Sequence, residues 1–134
     1  MTPAEAWDLL AVSPVAVLAT IDGEGHPHLV PFVFVALSGR RLVSAVDEKP
    51  KRSRELRRLE NIRRDPRVTV LAHHYEADWS KLWWVRAEGT ATVREVPPDT
   101  AEDSLRGRYP EYGAAELGPW IVIDVESITG WKAG

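Results

Sequence analysis

The stretch SAVDEKPKRSRELRRLENIRRDPRVTVLAHH, residues 44–74, decides the fold, because it predicts a strand, a basic loop, a helix and a second strand in succession. Leu56, Leu59 and Ile62 are spaced by three, and this spacing predicts a helix over residues 53–64. Asp65-Pro66 ends the helix, and the β-branched residues that follow predict a strand over residues 67–75.

Positive charge is concentrated in residues 49–67, which hold nine Lys or Arg against three acids, although the whole chain has a net charge of −3. Because like charges at close spacing repel, the cluster indicates an anionic partner. A nucleic acid is disfavoured, since no aromatic residue lies within the cluster and the chain is acidic overall. A phosphorylated cofactor is favoured. The alternative is a solvated helix face with internal pairs, Glu55 with Arg58 and Glu60 with Arg63.

Strands predominate outside this stretch. Thr2-Pro3-Ala4-Glu5 predicts a capped helix start, and Ser13-Pro14 ends that helix. Asp22-Gly23 predicts a hairpin turn, and Pro31 predicts an edge position or a bulge. Antiparallel strands joined by turns, without alternating β-α-β units, predict a mainly β fold, a small β-barrel formed as one domain by residues 1–134. The predicted strands are residues 15–21, 27–37, 41–46, 67–75, 82–96 and 120–125, with a short helix over residues 98–107.

Composition narrows the function classes. The chain has no cysteine, so disulfides, thiolate metal sites and cysteine nucleophiles are excluded. We expect no membrane segment and no secretory signal, and therefore a cytoplasmic protein. The four histidines lack a further ligand with suitable spacing, so we expect no metal site.

Three segments together resemble one family. They are the hairpin DGEGHPHLVPFVF (residues 22–34), the stretch quoted above and the strand WWVRAEGTATV (residues 83–93). They look like the flavin- and deazaflavin-binding split β-barrel proteins related to pyridoxamine 5′-phosphate oxidase. Within that superfamily they are most similar to the small actinobacterial group that uses coenzyme F420, a deazaflavin. The resemblance covers nearly the whole chain and keeps the order of the segments.

The resemblance implies a six-stranded antiparallel split barrel of the FMN-binding type, which forms a homodimer with two cofactor sites at its interface. It implies that Lys49, Lys51 and Arg52 form a basic loop for cofactor phosphates. Arg58 and Asn61 match the family's K/R-x-x-N element. The loop is longer than in pyridoxamine phosphate oxidase, and residues matching that enzyme's substrate-phosphate site are missing, so we do not expect activity on pyridoxamine phosphate.

The strand after the hairpin is expected to border the cofactor ring, which makes His28 and Pro31 candidates for ring contact. Trp83 and Trp84 must point to opposite faces of their strand, so one packs in the barrel and the other can meet cofactor or partner. The candidate cofactor-binding residues are Lys49, Lys51, Arg52, Arg58, Asn61, His28, Pro31 and Trp84.

The implied activity is that of an oxidoreductase, which passes a hydride from reduced coenzyme F420 to an unsaturated small molecule. A hydride-transfer cofactor carries its own reactivity, so the protein needs no catalytic triad, and catalytic residues stay unassigned. Tyr109 and Tyr112 are candidate donors to a substrate carbonyl. The alternatives are an FMN-dependent enzyme of the same fold and a carrier that binds flavin or deazaflavin without turnover. A haem-binding barrel is a weaker option.

Overall fold

The computed structural model describes residues 1–47 and 53–134, with the backbone alone for residues 47 and 53–56. Lys49, Lys51 and Arg52 lie outside the described residues. The helices are α1 (Pro3–Val12), α2 (Ser53–Arg64) and α3 (Ala101–Arg108), with 3₁₀ turns η1 (Trp79–Lys81) and η2 (Pro110–Tyr112). The strands are β1 (Ala16–Ile21), β2 (Pro27–Phe32), β3 (Val35–Leu37), β4 (Arg41–Asp47), β5 (Arg67–His74), β6 (Trp83–Arg94) and β7 (Leu117–Lys132).

The strands form one antiparallel sheet in the order β2-β1-β5-β6-β7-β4-β3, which confirms the predicted fold class. The described residues contain seven strands instead of the six expected, because the predicted strand over residues 27–37 is divided into β2 and β3. These two strands are consecutive in the chain, yet they lie at opposite edges of the sheet. Val33 and Phe34 therefore connect the two edges and close the sheet into a split barrel.

The antiparallel pairing of β6 with β7 is the longest in the sheet, running from Trp83 opposite Lys132 to Arg94 opposite Trp120. Its register shifts between Glu88 and Gly89, which is a β-bulge of the kind that bends a barrel strand. A Cβ atom on Gly89 would lie 2.0 Å from the carbonyl oxygen of Asp124. Only glycine fits this close approach of two backbones.

The main core fills the barrel, and α1 and α2 cover it. Leu59 and Ile62 are each about 1% exposed, so the spacing by three that predicted α2 corresponds to its buried face. A smaller cluster packs α3 on β4 and β7, through Leu105 and Trp120 among others. Among the described residues, none of the helices has the length and apolar character needed to cross a membrane.

Candidate functional site

A cavity of about 270 Å³ opens at the split of the barrel, where the chain leaves β2. Pro31 and Arg58, which the sequence placed in two separate segments, both line it. The first cavity therefore joins an expected ring-contact residue to an expected phosphate-binding residue. Its lining residues are Val15, Pro31, Phe32, Val33, Ser44, Ala45, Arg58 and Tyr112.

A second cavity of about 400 Å³ adjoins the first, because Val33 and Tyr112 line both. Tyr109 and Glu111 complete its lining. Neither cavity alone is large enough to hold a cofactor together with its substrate. Together, as the split cleft, they fall within the range of about 300–1,000 Å³ that is usual for ligand pockets.

Hydrogen bonds from side chains fix the backbone at the split, between β2 and β3. The Ser44 hydroxyl donates to the Val33 carbonyl at 2.7 Å, and the Arg108 guanidinium donates to the Phe34 carbonyl at 2.9 Å. Arg108 also donates to the carbonyl of Ser13 at 2.5 Å. The carbonyls that leave the ladder at the split are thus satisfied by side chains, as buried backbone groups must be. The roles of Ser44 and Arg108 could not be predicted from their local sequence, because each donates to a carbonyl that is distant in the chain.

The hydroxyl of Tyr109 belongs to the same support. It lies 2.8 Å from the carbonyl oxygen of Pro14 and 3.2 Å from that of Phe34. A phenol has one proton to donate, and both neighbours are acceptors. This geometry gives Tyr109 a structural role. Tyr112 packs edge-on against it, with ring centroids 6.5 Å apart, and forms the wall shared by the two cavities.

The described part of α2 presents exposed positive charge beside the first cavity. Arg57 and Arg63 are exposed, and neither forms an ion pair with a described residue. The pair of Glu60 with Arg63, part of the alternative of an internally paired helix face, is thus absent from this part of the helix, whereas the pair of Glu55 with Arg58 falls on a side chain outside the described residues. Lys49, Lys51 and Arg52, outside the described residues, stay predictions.

Arg67, at the end of the basic segment, is engaged locally. Its Nε and Nη2 atoms lie 3.0 and 2.7 Å from the two carboxylate oxygens of Asp65. The Arg67 side chain, its backbone N–H and its charge lower the pKa of Asp65 to about 2. The pair ties the end of α2 to the start of β5 and removes one cation from the basic surface.

Asn61 is buried, at 2% exposure, and both of its amide atoms are used. Its Nδ2 donates to the Thr20 hydroxyl at 3.0 Å, and its Oδ1 accepts from Arg64 Nη2 at 3.0 Å. Asn61 thereby fastens α2 to β1. The geometry supports a structural role, and cofactor contact by Asn61 stays a prediction.

His28 lies opposite Thr20 in the pairing of β1 with β2, away from the split cleft. Three residues along a strand separate it from Pro31, a distance of about 10 Å. Its Nδ1 is buried and has no hydrogen-bond partner among the residues described. Ring contact by His28 is therefore not favoured by this geometry within one chain.

Trp84 lies on the outer face of β6, whereas Trp83 packs against the main core. The structure thereby decides which of the two tryptophans faces outward. Trp84 pairs with His73 on β5 and Trp131 on β7, and these three form an aromatic row across the sheet. The Arg86 guanidinium lies 5.3 Å from the Trp84 ring centroid. Trp84 does not line the cleft of its own chain.

A larger cavity of about 630 Å³ lies between α3 and the chain before β7. It contains none of the expected site residues. Arg106 in its wall donates to Glu102 and to the carbonyls of Gly113 and Ala115, and these hydrogen bonds attach the loop before β7 to α3. No group of three or more His, Asp or Glu residues suited to a metal ion occurs in the described part of the chain. We therefore take the split cleft as the candidate site.

Comparison with known proteins agrees with this fold. The family model described as pyridoxamine 5′-phosphate oxidase matches residues 2–132. A conserved hypothetical protein of Mycobacterium tuberculosis has a similar structure, with a TM-score of 0.75 and 23% identity, over 98% of this chain and 85% of that one. No curated protein matches the sequence.

Two further solved structures share the fold and differ in what they bind. The FAD-binding protein of Mycobacterium smegmatis has a TM-score of 0.60 and 22% identity, over 98% of this chain and 95% of that one. The haem storage protein HutZ of Vibrio cholerae has a TM-score of 0.65 and 16% identity, over 94% and 89%. At these identities the likeness shows the fold alone.

Proposed function

The chain belongs to the pyridoxamine 5′-phosphate oxidase family, and on that premise we propose that it is an oxidoreductase that binds coenzyme F420 in the split cleft. It would transfer a hydride to an unsaturated small molecule. The observation that carries the proposal is the meeting of Pro31 and Arg58 in one open cavity at the split.

The residues of the first cavity fit such a cofactor. Phe32 and Val33 provide apolar surface for a flat ring, and Arg58 places a guanidinium group in the same lining. A guanidinium matches phosphate oxygens, and the exposed Arg57 and Arg63 extend the positive charge along α2. This extended charge suits a long polyanionic deazaflavin better than a compact single phosphate. When bound, the cofactor supplies the hydride, and the protein supplies binding and orientation.

We further propose a homodimer with the cofactor sites at its interface. The outer face of the sheet exposes apolar surface, with Leu29 at 63% and Trp131 at 43% exposure. Exposed aromatic and aliphatic groups on one face are typical of protein interfaces. A second copy on this face would cover Trp84 and Trp131, which are paired across β6 and β7. The chain is then expected to elute as a dimer, and Trp84→Ala should weaken both dimerisation and cofactor binding.

An FMN- or FAD-dependent enzyme is the alternative within the class, and a carrier without turnover is the alternative outside it. The FAD-binding protein of Mycobacterium smegmatis favours the flavin alternative. The test is a titration of the purified protein with coenzyme F420, FMN and FAD, followed by quenching of tryptophan fluorescence. Selective binding of coenzyme F420 at micromolar or lower concentration supports the proposal, and preference for a flavin moves the protein to that branch. Binding without oxidation of the reduced cofactor, across a panel of enones and quinones, indicates a carrier.

Two sets of variants locate the phosphate contacts. Arg58→Ala should weaken coenzyme F420 binding by about ten- to a hundredfold, since a hydrogen bond to a charged group is worth about 1.5–3 kcal/mol. Lys81→Ala, which removes an exposed cation that lines neither cavity of the split cleft, is the control and should change the affinity by less than about threefold. Replacing Lys49, Lys51 and Arg52 by Ala should weaken binding more at low salt than at high salt. Unchanged affinity in this triple variant contradicts the basic-loop assignment.

A further inference from the structure

The second cavity has a lining that differs in character from the first. Two tyrosines and Val33 form it with a single charged residue, Glu111. We propose that this cavity is the substrate site, that it takes a flat apolar ring that is neutral or cationic, and that Glu111 excludes anionic ligands. The assignment as substrate site rests on the proposed function, because Val33 and Tyr112 make it contiguous with the cavity assigned to the cofactor.

The aromatic corner suits a flat ring. The rings of Tyr109 and Tyr112 lie at 79° to each other with centroids 6.5 Å apart. A planar ligand in this corner can stack on one ring and meet the edge of the other, the two arrangements that aromatic pairs prefer. The hydroxyl of Tyr109 is held by the carbonyls of Pro14 and Phe34, so this wall of the corner is fixed before a ligand binds.

The turn that carries Glu111 is also fixed. In η2 the N–H of Tyr112 donates to the Tyr109 carbonyl at 3.1 Å, and that of Gly113 donates to the Pro110 carbonyl at 3.0 Å. Pro110 restricts its own φ, and Gly113 has a φ of +58°, which suits glycine. The backbone position of Glu111 at the cavity is therefore set by the turn, although its side chain is solvent-exposed.

The charges around the second cavity favour a neutral or cationic ligand. Arg108 lies 5.3 Å from the Tyr109 ring, but it donates to the carbonyls of Ser13 and Phe34 and lines a different cavity. Arg58 lines the first cavity and does not line the second. A ligand in the second cavity would therefore meet the carboxylate of Glu111 on one side and an anionic cofactor on the other. An anionic ring is repelled from both sides, and a cationic one is attracted.

The test uses two inert ligands of matched shape, 2-naphthylmethylammonium and 2-naphthoate. Their binding to the full chain is measured by saturation-transfer NMR at low ionic strength, with and without coenzyme F420. We expect the cation to bind about tenfold more tightly than the anion, because Glu111 is partly screened by water. Glu111→Gln should reduce this preference to about twofold, and Glu111→Lys should reverse it. Glu116→Gln, an exposed carboxylate that lines another cavity, is the control and should leave the preference unchanged.

Each outcome decides the proposal. Equal affinity for the two ligands, absence of binding by both, or a preference that survives Glu111→Lys would overturn it. Failure of the proposed function would give a different result. Coenzyme F420 would not bind, while the preference for the cation would persist and would still depend on Glu111. If both hold, coenzyme F420 should strengthen the preference for the cation, and Glu111→Gln should not weaken the binding of coenzyme F420 itself.

Discussion

Replacement of Asn61 separates a structural residue from a cofactor ligand. The amide links α2 to β1 by donating to the Thr20 hydroxyl at 3.0 Å, and it accepts from Arg64 on the same helix at 3.0 Å. Asn61→Ala removes both bonds and leaves the hydroxyl of Thr20, at 2% exposure, without its donor. A lost net hydrogen bond costs about 1 kcal/mol and an unsatisfied buried group about 1–3 kcal/mol. We expect the free energy of unfolding to fall by about 3 kcal/mol.

The assay is equilibrium unfolding in urea, with the slope compared between variants, since an unchanged slope assigns a lower midpoint to lower stability. For a chain of this length, about 3 kcal/mol corresponds to a decrease in melting temperature of about 10 °C. The double variant Thr20→Val with Asn61→Leu is the control. Replacing both partners by apolar groups of similar shape should recover most of the loss, because no buried polar atom is left unsatisfied.

Measuring cofactor binding tests whether Asn61 acts only through the fold or also contacts the cofactor. If Asn61 acts only through the fold, the folded Asn61→Ala protein should bind coenzyme F420 within about threefold of the unmodified chain, a difference of less than about 1 kcal/mol. An unfolding free energy within about 0.5 kcal/mol of the unmodified chain, together with a loss of affinity above tenfold, would refute the structural argument. Asn61 would then be a direct ligand, as the family resemblance implies.

Two further predictions concern the frame around the site. Gly89→Ala should destabilise the chain by about 3 kcal/mol, because its Cβ would lie 2.0 Å from the carbonyl oxygen of Asp124. Gly107→Ala in α3 is the control and should be neutral or slightly stabilising, because a Cβ at this position meets no atom within 4 Å. Thermal unfolding checks both, and equal melting temperatures would contradict the bulge argument. The pair of Asp65 with Arg67 should contribute stability that is present above the ordinary carboxyl pKa of 3.8 and is lost as pH falls towards the folded-state pKa of about 2. Urea midpoints between about pH 2 and pH 5 should therefore depend less on pH in Asp65→Asn, and identical slopes in both proteins would contradict this linkage.

A small part of the candidate site was predicted from sequence, and its assembly was not. Pro31 and Arg58 were both expected at the cofactor site, from the family resemblance, and the structure brings them to one cavity. The contributions of Ser44, Arg108 and Glu111 could not be predicted, because their local sequence carries no signal for the carbonyl or the cavity that each meets. Such roles depend on pairs of residues that the chain alone leaves far apart.

The features that depend on near neighbours could be predicted from local sequence. The capping box of Thr2 with Glu5, the buried face of α2 and the turn at Asp22 follow from contacts within about one helical turn or hairpin, whose energies are local. The concentration of positive charge in residues 49–67 was visible for the same reason.

The features that need a distant partner depend on long-range strand pairing. Residues 126–132 have no clear strand pattern, yet they extend β7 because β6 offers them a ladder from Glu88 to Trp83. The division of the strand at Val33 arises because the two halves pair at opposite edges of the sheet. Trp84 faces outward because successive side chains of a strand point to opposite faces, and the face of β6 that carries Trp83 is the one that packs against the main core. Long-range pairing therefore determined the cleft, while local sequence determined the elements that surround it.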